Sequence, residues 1–197
     1  MLIELFDHME LCTEAEVARM LPLVSSQRRE EALRYVHTHG RFCCLKSYLM
    51  LMEIIGAVSP TLDNTTPAFQ TNEFGKPFIL GRDDIQFSIS HTKNAVAVAF
   101  SRYPIGLDIE QIRHQSDSLV RKTMNEAEQR EIAESGSPDA AFTALWTQKE
   151  AVLKLRGTGI LDELHDVLTT CDDICMETHI NASKNYVWSV AQYRNSL

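Results

Sequence analysis

The sequence predicts an α+β chain, and three observations carry that class. Residues 41–56 are apolar at helical steps, residues 85–100 alternate like two paired strands, and residues 139–156 return to strong helix formers. Helices and strands come in blocks instead of alternating βαβ units, which argues against a parallel, doubly wound sheet. The halves 1–102 and 103–197 are similar in length and ingredients, without a repeat at the sequence level.

Residues 14–20 and 26–36 have mixed helical character, and Gly40 reads as a separator before the helix over 41–56. There Phe42, Leu45, Leu49 and Met52 recur at three- and four-residue steps and form one apolar stripe. Cys44, Tyr48 and Leu51 widen it, so most of the helix is expected to be buried. The Asp, Asn, Thr and Pro content of residues 60–67 predicts a loop, and Asn72 to Pro77 predicts a turn. Ile85, Phe87 and Ile89 alternate with polar residues, and Val96, Val98 and Phe100 alternate with small ones. A short polar connection through Thr92, Lys93 and Asn94 makes these a hairpin. A third strand is expected over 105–110, helices over 125–134 and 139–156, and short strands near 166–170, 175–180 and 186–193.

A chain of 197 residues fits one large domain or two small halves sharing a core. Its formal charge of -8 argues against a general binder of nucleic acid or anionic membrane, but leaves room for a local basic cleft. The first residues lack the basic and apolar pattern of a signal peptide. The most apolar stretch, 49–58, is broken by Glu53 and is too short to span a bilayer. Five cysteines without a CxxC pair read as reduced thiols, and a cytoplasmic location is expected.

Asp108 and Glu110 lie two apart on the expected third strand, so their carboxylates share a face while Leu107 and Ile109 enter the core. Magnesium takes a few carboxylate oxygens and completes its shell with water and phosphate, which such a pair suits. A solvated strand face is the plainer alternative. Glu150 and Lys154 share a helix face four residues apart. They are either a surface ion pair or a carboxylate that serves as metal ligand or base beside a phosphate-neutralising lysine. Trp146 continues that face as a packing residue. Ser90 and His91 are adjacent on a strand and point to opposite faces, so they cannot act as a nucleophile pair; His91 suits an anion donor better. Lys76 sits on a Gly-Lys-Pro turn, facing either solvent or a ligand. Arg28, Arg29, Arg34 and Arg41 are a phosphate cradle or solubilising charge. Cys171, Cys175 and His179 are spaced by four but lack a convincing fourth ligand for zinc. No P-loop or GxGxxG motif is present.

Singly these signals are weak, but their order is specific. Phe74-Gly75-Lys76-Pro77, Phe87-Ser88-Ile89-Ser90-His91, Ile105-Gly106-Leu107-Asp108-Ile109-Glu110 and Trp146-Thr147-Gln148-Lys149-Glu150-Ala151-Val152-Leu153-Lys154 follow one another along the chain. The set resembles the ordered signatures of the Sfp-type 4'-phosphopantetheinyl transferases, from about Ser25 to Gly159 and weakly to Tyr193. The resemblance implies a pseudo-dimer of two α+β halves with the active cleft between them. It implies transfer of the phosphopantetheine arm of coenzyme A to a serine of an apo acyl or peptidyl carrier protein, leaving 3',5'-ADP, as in holo-acyl-carrier-protein synthases. It implies magnesium, with manganese as the alternative, on Asp108, Glu110 and Glu150. Glu150 would also be the base, and Lys154 would contact the phosphates or the leaving group. Arg28, Arg41, Lys76, Ser90 and His91 fall where the family holds coenzyme A.

Two departures remove positive charge: Glu31 stands where a second basic residue is common, and Thr158 stands inside what is often Gly-Lys-Gly. Glu128 loosely resembles a family acidic residue. A monomer is expected, with the carrier docking on Arg113, Arg121 and Lys122. The competing expectations are a non-catalytic coenzyme A or carrier-docking module and a metal-dependent phosphodiesterase.

Overall fold

In the computed structural model, which describes residues 1–58, 69–159 and 164–196, the core is four layers deep. Strand β5 (Val96–Ser101) sits between β1 (Leu2–Phe6) and β4 (Gln86–His91), antiparallel to both. Strand β8 (Tyr186–Tyr193) likewise sits between β6 (Ile105–Gln111) and β7 (Ile174–Asn181). The period of two gives each sheet two different faces. Val96, Val98 and Phe100 of β5 pack with Phe87 of β4 against helix α3 (Thr38–Val58), through Phe42, Leu45, Leu51 and Ile55. The opposite face of β5 carries Ala95, Ala97 and Ala99, and these meet Ile105, Leu107 and Ile109 of β6. Small residues on one sheet therefore receive branched residues from the other, which closes the gap between sheets without voids. On the far side, helix α6 (Pro138–Arg156) covers β8 and β7 with Ala151, Val152 and Leu155 against Ala191 and Ile174.

The edge strands of the two sheets, β4 and β6, meet at a seam. Ser88 Oγ on β4 accepts from the Leu107 N–H at 2.9 Å and donates to the Leu107 carbonyl at 3.4 Å. One side chain thus supplies the pairing that an unpaired strand edge needs when buried. Opposite this seam, Gly106 lets α6 come onto β6. A Cβ at residue 106 would overlap the Ala151 carbonyl oxygen and the Leu155 backbone nitrogen.

The remaining elements frame these layers. Helices α1 (Glu14–Met20) and α2 (Ser26–Leu33) start on Thr13 and Ser25, whose hydroxyls accept from Glu16 N and Arg28 N. Helix α4 (Asp117–Thr123) starts on Ser116, and α5 (Glu126–Glu134) on an Asn125–Glu128 capping box. A small hairpin of β2 (Phe69–Thr71) and β3 (Pro77–Ile79) encloses the turn expected at Asn72 to Pro77, where Gly75 has φ +86.

Several expectations are corrected. Gly40 lies inside α3, because the missing Cβ leaves space for the Tyr35 ring, and the preceding helix stops at Leu33. Leu49 and Met52 are only half-buried, and the buried face is centred on Cys43, Ser47, Met50 and Ile54 at three- and four-residue steps. The strand expected near 166–170 is two 3-10 turns, Leu164–Asp166 and Leu168–Thr170, wound by threonine hydroxyls that donate to the Asp166 and Val167 carbonyls. Strands β1, β2 and β3 and helix α4 were not expected. The loop expected over 60–67 lies outside the described residues.

The Gly106 contact makes a prediction with an internal control. Gly106→Ala should lower unfolding free energy by about 3 kcal/mol or more, as over-packing against backbone does. Gly56→Ala, in α3 with nothing within 4 Å of the added carbon, should be neutral or stabilising by up to about 1 kcal/mol. Urea denaturation of both variants measures the contrast, and equal stabilities would remove the close approach of α6 from the account.

Candidate active site

The seam between β4 and β6 places three of the expected residues, Asp108, Ser90 and Lys154, together. Asp108 projects from β6 toward α6 and is 3% exposed. Lys154, one turn after Glu150 on α6, puts its Nζ 2.7 Å from Asp108 Oδ1 and 3.1 Å from Ser90 Oγ. Ser90 on β4 donates to the same Asp108 oxygen at 2.8 Å. A serine, an aspartate and a lysine from three elements therefore close one small ring of hydrogen bonds. The other Asp108 oxygen, Oδ2, is buried with no hydrogen-bond partner among the described residues.

Glu110 and Glu150 stand near Asp108 and are held in an electrically unfavourable setting. Burial first, then the Asp108 charge, pushes the Glu110 carboxyl up to about 6, while Arg113 and Lys154 oppose the rise. Glu150 is raised by burial and by Asp108, against the pull of Lys154. His91, at the exposed end of β4, is lowered by partial desolvation and by repulsion from His39 and Lys154. Its ring lies edge-on to His39 at 6.2 Å, and His39 Nε2 is 3.2 Å from the Thr92 carbonyl.

A cavity of about 310 Å³ opens beside this ring, lined by Phe74, Lys76, Phe87, Ile89, Glu150 and Lys154 among others. Its lining mixes apolar side chains with the charges of Lys76, Glu150 and Lys154. Lys76 is bound to protein carbonyls: its Nζ donates to Leu155 O at 3.1 Å and Ile105 O at 3.3 Å, and burial lowers it to about 8. Asn72, which the sequence reading missed, accepts from the Phe74 and Lys76 amides and donates to the Gly157 carbonyl at 2.9 Å. That bond ties the β2–β3 turn to the left-handed end of α6. The Asn-x-x-Gly spacing was the available signal.

Arg28 and Arg41 are engaged elsewhere. Arg28 lies over the Tyr48 ring at 4.9 Å and pairs with Glu31 at 2.9 Å, in a second depression that shares Pro77 with the main cavity. Arg41 donates to Tyr35 O at 2.9 Å and faces Glu14 at 3.8 Å. Thr158 Oγ1 is buried without a hydrogen-bond partner among the described residues. Glu128 has a structural place: its Oε2 accepts from the Asn125 amide at 2.8 Å and from Lys149 Nζ at 2.7 Å. Lys149, fully buried, also donates to Thr123 O at 2.9 Å and Leu164 O at 2.7 Å, which satisfies all three of its N–H groups. Trp146 is half-buried and stacked on Phe142, a packing residue as expected.

The donor set suits a hard divalent cation. Three carboxylates face a shortage of positive charge, one has a buried unpartnered oxygen, and two hold their protons more tightly than free side chains do. Among the described residues, no three acidic, histidine or cysteine side chains form a ready-made ligand group. Lys154 occupies the near side of Asp108 instead. Cys171, Cys175 and His179 form no such group either, and all five cysteines are free.

A sequence model of the 4'-phosphopantetheinyl transferase superfamily matches residues 104–194, from the start of β6 to the end of β8. Over that region the chain is similar to the superfamily. A 4'-phosphopantetheinyl transferase named Sfp, from Bacillus subtilis, is 28% identical over 150 residues, 75% of this chain and 66% of the relative. A second Bacillus subtilis 4'-phosphopantetheinyl transferase is 30% identical over 148 residues, 74% of this chain and 65% of that protein. The 4'-phosphopantetheinyl transferase gsp of Aneurinibacillus migulanus is 31% identical over 139 residues, 70% and 57% respectively. The match spans 57% to 66% of these relatives' lengths.

The Glu110 shift has a sign that stability measurements can read. The folded state holds this proton up to about pH 6 while the unfolded chain releases it near 4.5, so stability falls as pH rises through that window. Glu110→Gln should therefore be more stable than the wild type at about pH 7.5 in chelator. The gain should be no more than about 1 kcal/mol after solvent screening, and should vanish near pH 4.5. Thermal melts at the two pH values test it; a variant less stable at the higher pH would mean the carboxylate has favourable partners.

Proposed function

We propose that the chain moves the 4'-phosphopantetheine arm of coenzyme A onto a serine of an apo carrier protein, with release of 3',5'-ADP. The observation that carries this reading is the convergence of Asp108, Ser90 and Lys154 at the seam, with Glu110 and Glu150 beside them, inside a chain similar to Sfp-type transferases. In the reaction, a bond forms between the carrier serine Oγ and the phosphorus next to the pantetheine, and the bridging oxygen–phosphorus bond of the pyrophosphate breaks. Such a displacement needs alignment and charge neutralisation more than covalent help.

Glu150 is suited to take the serine proton, because burial and the Asp108 charge raise its proton affinity. Lys154 has three N–H donors and uses two, on Asp108 and Ser90, which leaves one for a phosphate oxygen. Asp108, Glu110 and Glu150 would hold magnesium or manganese, which supplies charge neutralisation on the pyrophosphate. His91 follows Ser90 on β4, close enough to Lys154 and Asp108 to feel their charges, and suits an anionic group of coenzyme A. Lys76 lines the cavity but is tied to backbone carbonyls, so its first contribution is to shape the wall. Arg28 would have to leave Glu31 to take a phosphate, and Arg41 would have to turn from Tyr35.

The two three-stranded sheets and their covering helices support the division into halves near residues 102–103, with the cleft at the seam. A holo-acyl-carrier-protein-synthase type of activity on an acyl or peptidyl carrier, a monomeric state and a cytoplasmic location are part of the same reading. Free cysteines agree with it, and among the described residues no helix is long and apolar enough to cross a membrane. Arg113, Arg121 and Lys122 are exposed, which suits contact with an acidic carrier.

Mixing the chain with coenzyme A, magnesium and an apo carrier should add the mass of phosphopantetheine to the carrier, and excess chelator should stop it. Asp108→Ala should reduce the rate by about 10²–10³-fold, the scale of losing a preorganised charge at the reacting centre. No mass gain across a panel of acyl and peptidyl carriers, or full activity of Asp108→Ala in chelator, would contradict the reading.

A further inference from the structure

The turn between β7 and β8, with the first residue of β8, meets three segments drawn from both halves of the chain. Tyr186 Oη donates to Asp7 Oδ2 at 3.2 Å, just past β1. Asn94 Nδ2, in the β4–β5 turn, donates to the Lys184 carbonyl at 2.9 Å and to the Asn185 carbonyl at 3.1 Å. Past the end of β6, the Ile112 amide donates to the Asn185 carbonyl at 3.2 Å. Asn185 Nδ2 returns a bond to the Ile112 carbonyl at 3.1 Å. Asn185 is exposed, and among the described residues it is the one non-glycine with positive φ, at 59°. Glycine would serve such a turn at lower steric cost. The asparagine side chain is therefore explained by what it binds.

It binds the exit of the strand that carries the carboxylates. Ser88 and Ser90 hold β6 to β4 at Leu107 and Asp108. Glu110 lies beyond those bonds, paired with Val187 in the ladder. Glu110, Gln111 and Arg113 line a depression of about 100 Å³ beside Trp146, so this end of β6 is open on one side. Asn185 grips Ile112 there and accepts from Asn94 of the other half, which extends the bridging of the seam past the point where the two serines stop. We infer that Asn185 is a positioning residue: by clasping Ile112 and Asn94 it fixes the end of β6 across the seam and keeps Glu110 beside Asp108 for a divalent cation.

This inference rests on the transferase reading and its metal, and the two fail differently. Asn185→Gly keeps the left-handed backbone and removes only the side-chain donor. It should weaken Mn2+ binding, titrated by electron paramagnetic resonance without substrates, by about three- to tenfold, the scale of losing one or two net hydrogen bonds. The Mg2+ concentration for half-maximal carrier modification should rise in step, while kcat at saturating Mg2+ and the KM for coenzyme A stay within about twofold of the wild type. Ser183→Ala is the control: it removes the bond from Ser183 Oγ to Asn181 Oδ1 in the same turn, which does not reach β6, and should leave Mn2+ binding unchanged. If Asn185→Gly melts at a lower temperature yet binds Mn2+ like the wild type, the turn is merely structural and the inference is overturned. Equal weakening by Ser183→Ala overturns it as well, because general loosening of the turn would then be the cause. A wild-type chain that binds Mn2+ but modifies no carrier sinks the transferase reading and leaves the Asn185 comparison standing. A wild-type chain that binds no Mn2+ removes the metal, and the role of Asn185 with it.

Discussion

The 2.7 Å contact between Lys154 Nζ and Asp108 Oδ1 is the interaction on which the rest of the site depends. It joins a helix to a strand, and it forms only because α6 lies unusually close to β6. Gly106 sets that distance, since any side chain there would meet the helix backbone. The residue two positions on is Asp108, on the same strand face, and the residue one turn beyond Glu150 is Lys154. Local geometry then does the rest: period two on the strand and period 3.6 on the helix bring the charges together. In a half-dry seam such a pair is worth more than at the surface, but it leaves Asp108 Oδ2 buried without a hydrogen-bond partner among the described residues. That unsatisfied state is what a bound cation and an anionic substrate would relieve.

A second charged pair keeps α6 in its rotational setting. Lys149 is buried beside Glu150 in sequence but faces the opposite way, toward Glu128 and the carbonyls of Thr123 and Leu164. Three acceptors from three segments leave its ammonium one arrangement, which holds the start of α5 and the turn at Leu164 against the helix. At the other end, Asn72 and Lys76 bind the last turn of α6 and its left-handed glycine. The functional face of the helix is thus fixed from behind and from its tip. The charges in the site therefore owe their positions in part to residues outside the cavity lining, Lys149, Glu128 and Asn72.

Much of the architecture was legible in the sequence because periodicity speaks directly about faces. The alternation over 85–100 gave the hairpin, and the Asp108–Glu110 spacing gave a shared strand face. The helical steps after Trp146 placed Glu150 and Lys154 together. Elements that lean on partners were not legible. Strand β1 is an edge strand defined by its pairing with β5, and α4 is a short helix whose chief local signal is its Ser116 cap. Gly40 misled because a glycine chosen for packing looks like a helix breaker until Tyr35 is in place. Ser90, Lys76 and Arg28 were visible as residues of the right chemistry, but their present partners are carbonyls, carboxylates and aromatic rings far away in sequence. Only the folded chain shows that a hydroxyl has already given away its proton, or that a lysine is already satisfied.

The claim at the centre of this account is that Asp108 and Lys154 act as one unit across the seam. A double-mutant cycle with Asp108→Asn, Lys154→Met and the pair together, read as kcat for carrier modification with stability checked by melting, tests that most directly. The account predicts strong non-additivity, with the double variant losing little more activity than the worse single variant. Losses that simply add would mean the two residues contribute independently, and would contradict it.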